Sequence, residues 1–145
     1  LFLGFTFNYG VLLGYLTLHD SLSLSAYCLY GAGIFWTLGY DTIYAHQDKK
    51  DDLLVGVKST ALLFKNNTIY YLIFFYTATI LCLFLAGFLE NKNYLFYILL
   101  KVAAIHFIWQ LSTLDIENVD NCNKKFTSNI YVGLIVFFFF FFFFF

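Results

Sequence analysis

Five apolar stretches, each close to the length a bilayer demands, limit the folds open to this chain. They are residues 1–18, 22–39, 69–89, 94–114 and 130–145. A helix rises about 1.5 Å per residue, so about 20 apolar residues cross a hydrocarbon core of about 30 Å. No ten-residue alternation of the kind a membrane barrel uses is present, and an isolated span must satisfy its backbone internally, so these segments are expected as helices. The expected fold class is therefore all-α, a multi-span transmembrane bundle of about five helices.

Composition agrees. The chain is 61% apolar and 12% charged, with a mean hydropathy of +0.77, against about 45–50% and about 25% in soluble domains. A net charge of −1 gives no basic patch for nucleic acid, and none is expected as a partner. Cys28, Cys82 and Cys122 are scattered without metal-type spacing, and the first two, in apolar runs, read as small core or lipid-facing residues. Aromatic residues reach 24%, with 21 Phe and 12 Tyr, a skew that resembles AT-rich coding sequence. The Phe run at 137–145 is low complexity and is assigned no function. There is no Met, so the chain reads as a fragment whose N-terminal part is missing.

The connections alternate. His19–Ser21 and Glu90–Asn93 are short and carry one lysine, Lys92. Residues 40–68 and 115–128 are long, polar and rich in lysine (Lys49, Lys50, Lys58, Lys65, Lys124, Lys125). With five spans these two long loops fall on one side, which the positive-inside rule makes the cytoplasmic side, or the matrix side in a mitochondrion.

Residues 40–64 concentrate the ionisable groups: four of the nine acidic residues (Asp41, Asp48, Asp51, Asp52) and three of the eight lysines. As one continuous helix the segment would put Asp41, Tyr44, Asp48 and Asp52 on one face. Like charges so close repel, and a hard cation such as magnesium relieves them by taking carboxylate oxygens and bridging to phosphate. After the carboxylates come Gly56, then Lys58, Ser59 and Thr60. That order supplies metal ligands, a flexible break, and a cation with hydroxyls, which suits a magnesium-bound diphosphate. A solvated charged loop between two spans is the plain alternative.

The segment YDTIYAHQDKKDDLLVGVKSTA at 40–61 resembles, without a break, the second aspartate-rich motif of the UbiA superfamily of intramembrane prenyltransferases, and most closely its 4-hydroxybenzoate branch in ubiquinone biosynthesis. The resemblance extends to residues 2–15 and to 106–137, where Gln110, Asp115, Cys122, Phe126, Asn129 and Gly133 match a block near the family's C-terminus. It implies transfer of a polyprenyl chain from an isoprenyl diphosphate to the ring of 4-hydroxybenzoate, with Mg2+, in a lipid bilayer. The membrane it implies is the mitochondrial inner membrane, or the inner membrane of a bacterium. Other acceptors used in the superfamily are haem, a naphthoate and homogentisate. It also implies roles for single residues: Asp48 and Asp52 as the metal pair with Asp51 between them, and Lys58 on the diphosphate. Asp41, Tyr44, Gln110 and Asp115 would line the substrate site. The family's first aspartate motif is absent from this sequence, so the fragment alone is expected to be inactive. From other classes, a cation transporter with an acidic loop and an inactive truncated product stay open.

Within the span 94–114, Lys101, His106 and Gln110 are ionisable or polar. Lys101 is expected to reach the interface along its own stem. His106 and Gln110 share a face at i, i+4 and are expected to line a cavity or bridge helices. Asp115 reads equally as a loop or capping residue.

Overall fold

A computed structural model describes residues 2–56 and 58–144; the side chains of residues 50, 51 and 139–144 lie outside that description. The described residues are helical, without strands. The elements are α1 (Phe2–Leu18), α2 (Leu24–Ala45), α3 (Lys49–Val55) and α4 (Thr60–Phe64). A single 3-10 turn (Lys65–Asn67) follows, then α5 (Thr68–Leu89), α6 (Tyr94–Ser112) and α7 (Val119–Phe144). Five of these are long, as expected, and the ends at Leu18, Leu89 and Tyr94 fall where the apolar runs stop.

Two differences from the sequence reading have a physical reason. Helix α2 runs on to Ala45, six residues past its apolar span, and α7 starts at Val119, eleven before its own. Hydropathy reports transfer to lipid, whereas a helix continues for as long as its backbone bonds are met. The segment 40–64 is also not one helix. The backbone turns at 46–48, so Asp41 and Tyr44 ride on α2 while Asp48 opens α3 and Asp52 lies inside it. Helix α3 ends on Gly56 at φ 77°, a left-handed cap that a β-carbon would disfavour.

Among the described residues, two helical runs are long and apolar enough to cross a membrane by length and composition, Thr60–Leu89 and Tyr94–Ser112; α1 is apolar but shorter. The exterior is apolar, with Phe74, Phe88, Ile105, Ile108 and Ile130 all exposed. Large exposed apolar area of this kind would be a liability in water and is ordinary against lipid.

Helix α2 is the centre, packed by α1, α5 and α7, and α6 closes the bundle against α5 and α7. The core joins Ile43, Leu72, Tyr76, Phe107, Cys122 and Val132. The Tyr76 and Phe107 rings stack at 4.1 Å. Close approach of α2 and α5 depends on Gly39, where a β-carbon would lie 2.4 Å from the Tyr76 ring. At the end of the bundle away from the aspartates, Glu90 accepts from the hydroxyls of Ser25 and Tyr15 (2.9 Å for Tyr15), tying α1, α2 and the turn after α5. These hydroxyls, that of Ser25 first, hold the Glu90 carboxyl below its usual range.

Candidate active site

The site begins where α2 loses its apolar character. Tyr40 and Tyr44 lie one turn apart, and both rings meet Phe126 of α7, at 5.9 and 4.9 Å. Below them the wall carries a few hydrogen-bonded polar side chains among apolar ones. Asn8 of α1 donates to Thr37 Oγ1 at 2.9 Å, and the Tyr40 hydroxyl donates to the same oxygen at 3.3 Å. The Trp36 indole N–H donates to Asn129 Oδ1 at 3.0 Å, and Asn129 donates to the Lys125 carbonyl at 3.1 Å. Together α1, α2 and α7 form an open groove of about 500 Å³ lined by Asn8, Trp36, Tyr40, Phe126 and Ile130 among others. The lining of this groove was not legible in the sequence. Its Trp36–Asn129 contact joins residues 93 positions apart, and no local pattern encodes such a pair.

The acidic and basic residues stand at this end of the bundle. Asp48 is exposed at the start of α3 and makes no side-chain cap bond, although its backbone carbonyl accepts from the Asp52 amide at 2.9 Å. Asp52 is partly buried. Among the described residues, no hydrogen bond or ion pair engages either carboxylate. The side chain of Asp51 lies outside the described residues. Lys58 is exposed between α3 and α4, and the neighbouring Ser59 Oγ is buried without a hydrogen-bond partner among the described residues. Asp41 is partly buried on α2.

The two polar connections meet. Lys49 forms a 2.9 Å ion pair with Glu117. His46 is buried, with Nε2 3.1 Å from Thr68 Oγ1, so it links the end of α2 to the start of α5. Burial holds the His46 imidazole below its usual range, and the Lys49 ammonium pushes it the same way. The Lys49–Glu117 pair puts both long loops at one end of the bundle, as the span count implies.

Gln110 is fully buried, and its Nε2 donates to the Lys125 carbonyl at 2.7 Å and to Ser128 Oγ at 3.1 Å. A carbonyl only accepts, so the nearer amide atom must be the nitrogen. His106 Nε2 is 3.3 Å from the same Ser128 oxygen. The pair therefore bridges α6 to α7 rather than facing the groove, whose lining includes neither. Lys101 is exposed. Asp115 is exposed, and its Oδ1 accepts from the Glu117 amide at 3.1 Å, a local turn bond. Lys125, which the sequence reading placed only in a loop, is buried with Nζ 3.6 Å from the centre of the Trp109 ring.

The donor set fits a hard cation. Asp48 and Asp52 offer anionic oxygens that no protein group engages among the described residues, and magnesium takes one or two carboxylates and completes its shell with phosphate and water. Among the described residues no cluster of three ligating side chains exists, so the set is compatible only with such an open site.

Comparison with known proteins agrees with this picture. Residues 1–144 match the profile of the UbiA prenyltransferase family. The chain is similar to the mitochondrial 4-hydroxybenzoate polyprenyltransferase of Bos taurus, with 48% identity over 137 residues, which is 93% of this chain and 37% of the relative. It is similar to the Arabidopsis thaliana protein of the same description at 47%, covering 94% of this chain and 34% of the relative. It is also similar to 4-hydroxybenzoate geranyltransferase 2 of Lithospermum erythrorhizon at 45%, covering 94% of this chain and 45% of that one. The chain thus spans between about a third and just under half of the length of these relatives. No solved structure matches. With the profile matched from the first residue to the last but one, the chain belongs to the UbiA prenyltransferase family.

Proposed function

We propose that this chain is part of an enzyme that transfers a polyprenyl group from an isoprenyl diphosphate to the ring of 4-hydroxybenzoate. The observation that carries the reading is that Asp48 and Asp52, whose carboxylates no group engages among the described residues, stand at the same end of the bundle as an aromatic-walled groove. The relatives' descriptions support the acceptor.

Asp48 and Asp52 would hold Mg2+, with Asp51 beside them. The ion, when bound, supplies charge neutralisation to the diphosphate oxygens. Lys58 and the Ser59 hydroxyl would hold the remaining diphosphate charge as the allylic C–O bond breaks and its electron pair leaves with the diphosphate. The acceptor's ring carbon ortho to the phenol hydroxyl then gives a π pair to the allylic carbon, and that ring carbon's proton passes to the released diphosphate, which restores aromaticity. Tyr40 and Phe126 would shield the cation from water in the groove, and their ring faces, with that of Tyr44 beside them, favour positive charge. Asp41 stands one position from Tyr40 and would contact the donor or acceptor from α2. Gln110 acts on the substrate site indirectly, by fixing the backbone of α7 at Lys125. Asp115 would act from its turn at the same end.

The long helices α1, α2, α5, α6 and α7 would serve as the spans, in a mitochondrial inner membrane with the aspartate loop on the matrix side. The lysines of the two long loops favour that orientation. The test is incubation of the full-length protein in membranes with an isoprenyl diphosphate, magnesium and each acceptor in turn. Prenylated 4-hydroxybenzoate is expected. Product on haem, a naphthoate or homogentisate alone would move the assignment to another branch. Cation flux without diphosphate consumption would make it a transporter.

A further inference from the structure

A second cavity lies directly beneath the groove. It has a volume of about 130 Å³ and is apolar over most of its lining, with Leu29, Ala32, Leu83, Ala103 and Val136 contributing. That is nearly the size of an engineered protein cavity of about 150 Å³ that takes up benzene, so it has room for one branched five-carbon unit. Two side chains line both spaces, Asn8 and Trp36. Asn8 is short and held by the Thr37 hydroxyl and the Gly4 carbonyl. Trp36 is the bulky one.

Three contacts hold the indole in place. Its N–H donates to Asn129 at 3.0 Å, and its ring meets Tyr40 edge to face at 5.7 Å. Its far edge faces Gly133, where a β-carbon would sit 3.5 Å from Trp36 Cη2. The order along α2 explains the placement. Leu29, Ala32, Trp36 and Tyr40 are three or four residues apart and so share one face. They run from the lower cavity to the groove over about 16 Å at about 1.5 Å per residue. Asp41 follows at once.

We propose that Trp36 is the residue that sets donor chain preference, by closing the lower cavity to the isoprenoid tail. The inference rests on the prenyl-transfer reading above. A diphosphate held at the aspartate end leaves its tail to run down the α2 face, past Tyr40, until it meets the indole. The cavity below then stays shut to the tail. Replacing the indole with a methyl group joins the two spaces, and a longer tail gains apolar burial that a shorter one cannot use.

The experiment measures kcat/KM for geranyl, farnesyl and geranylgeranyl diphosphates with 4-hydroxybenzoate, using the full-length protein in membranes. Trp36→Ala is expected to raise the geranylgeranyl-to-geranyl ratio about tenfold, the scale of small size differences in an apolar pocket, mostly through KM. Adding Val136→Phe, which refills the lower cavity from α7, should return the ratio to the wild-type value. If Trp36→Ala does not accumulate, Trp36→Phe keeps an aromatic ring and should shift the ratio in the same direction by less. A ratio unchanged or reversed in an active Trp36 variant overturns the proposal, as does a shift that Val136→Phe leaves in place. A wild-type protein that consumes no isoprenyl diphosphate overturns the prenyl-transfer reading itself, and with it this one. The two failures are therefore distinct.

Discussion

The Lys49 ammonium lies 2.9 Å from a carboxylate oxygen of Glu117, so the start of α3 is joined to the turn between α6 and α7 across 68 positions of sequence. One polar connection carries the aspartates, and the other leads into Phe126, Asn129 and the groove wall. The ion pair spans the two connections, and the buried His46–Thr68 contact closes the first of them, from the end of α2 to the start of α5.

The ion pair itself should contribute little to stability. Lys49 is 28% and Glu117 74% exposed in their side chains, and exposed pairs are worth at most about 1 kcal/mol and are screened by salt. Glu117→Gln is expected to leave thermal unfolding in detergent within a degree or two of wild type. His46→Ala should cost more, about 1–3 kcal/mol, because it leaves the buried end of α2 without its link to Thr68. A larger loss from Glu117→Gln than from His46→Ala would show that the ion pair, not the buried imidazole, carries the stability of this end.

Glu90 predicts a pH dependence at the opposite end. Its carboxyl is held below the usual range by the Ser25 and Tyr15 hydroxyls, and a carboxyl depressed in the folded state is protonated more readily in the unfolded chain. Its stabilising contribution is thus fully present above the unfolded value, near pH 4.5, and is lost as pH falls through the lower folded value. Glu90→Gln should cost about 1–2 kcal/mol at neutral pH, the scale of a hydrogen bond to a charged group at a partly exposed site. It should also flatten the loss of stability below pH 4.5. Chemical denaturation of both proteins at a series of pH values reads the difference.

Gly39 is expected to tolerate no side chain. A β-carbon there would lie 2.4 Å from Tyr76 Cε1, and Tyr76 is itself held in the core by its stack on Phe107. Overpacking of this kind costs about 1–3 kcal/mol. Gly39→Ala should lower the unfolding temperature, and adding Tyr76→Leu should recover part of the loss. An additive double variant would mean that the two residues do not meet.

The parts legible in the sequence are those that one-dimensional patterns encode. Apolar runs gave five long helices because lipid burial and helix formation coincide through most of each span. They parted at Asp41–Ala45 and Val119–Asn129, where polar residues continue a helix that hydropathy cannot see. The chemical types at Asp48, Asp52 and Lys58 were readable because their spacing is local. Gln110 was readable as a polar residue on an inward face. Its partners, the Lys125 carbonyl and Ser128, depend on how α6 lies against α7. Trp36 was indistinguishable from any aromatic in an apolar run; only the groove on one side and the cavity on the other single it out.

The aspartate pair carries the most direct prediction. Neither Asp48 nor Asp52 is engaged by a hydrogen bond or ion pair among the described residues, so neutralising either removes no described contact. Asp48→Asn and Asp52→Asn should therefore keep the wild-type helix content and unfolding temperature. In the full-length protein each should lower prenyl transfer about 100-fold or more, since charge stabilisation at a departing group is a large share of catalysis. Chelating magnesium should abolish turnover by the wild type and restore nothing in the variants. Added magnesium should partly rescue the single variants, which keep one carboxylate, and should not rescue Lys58→Met, which would lose the proposed diphosphate contact instead. Retained activity in both aspartate variants would remove these residues from the metal site and return the cluster to a solvated loop.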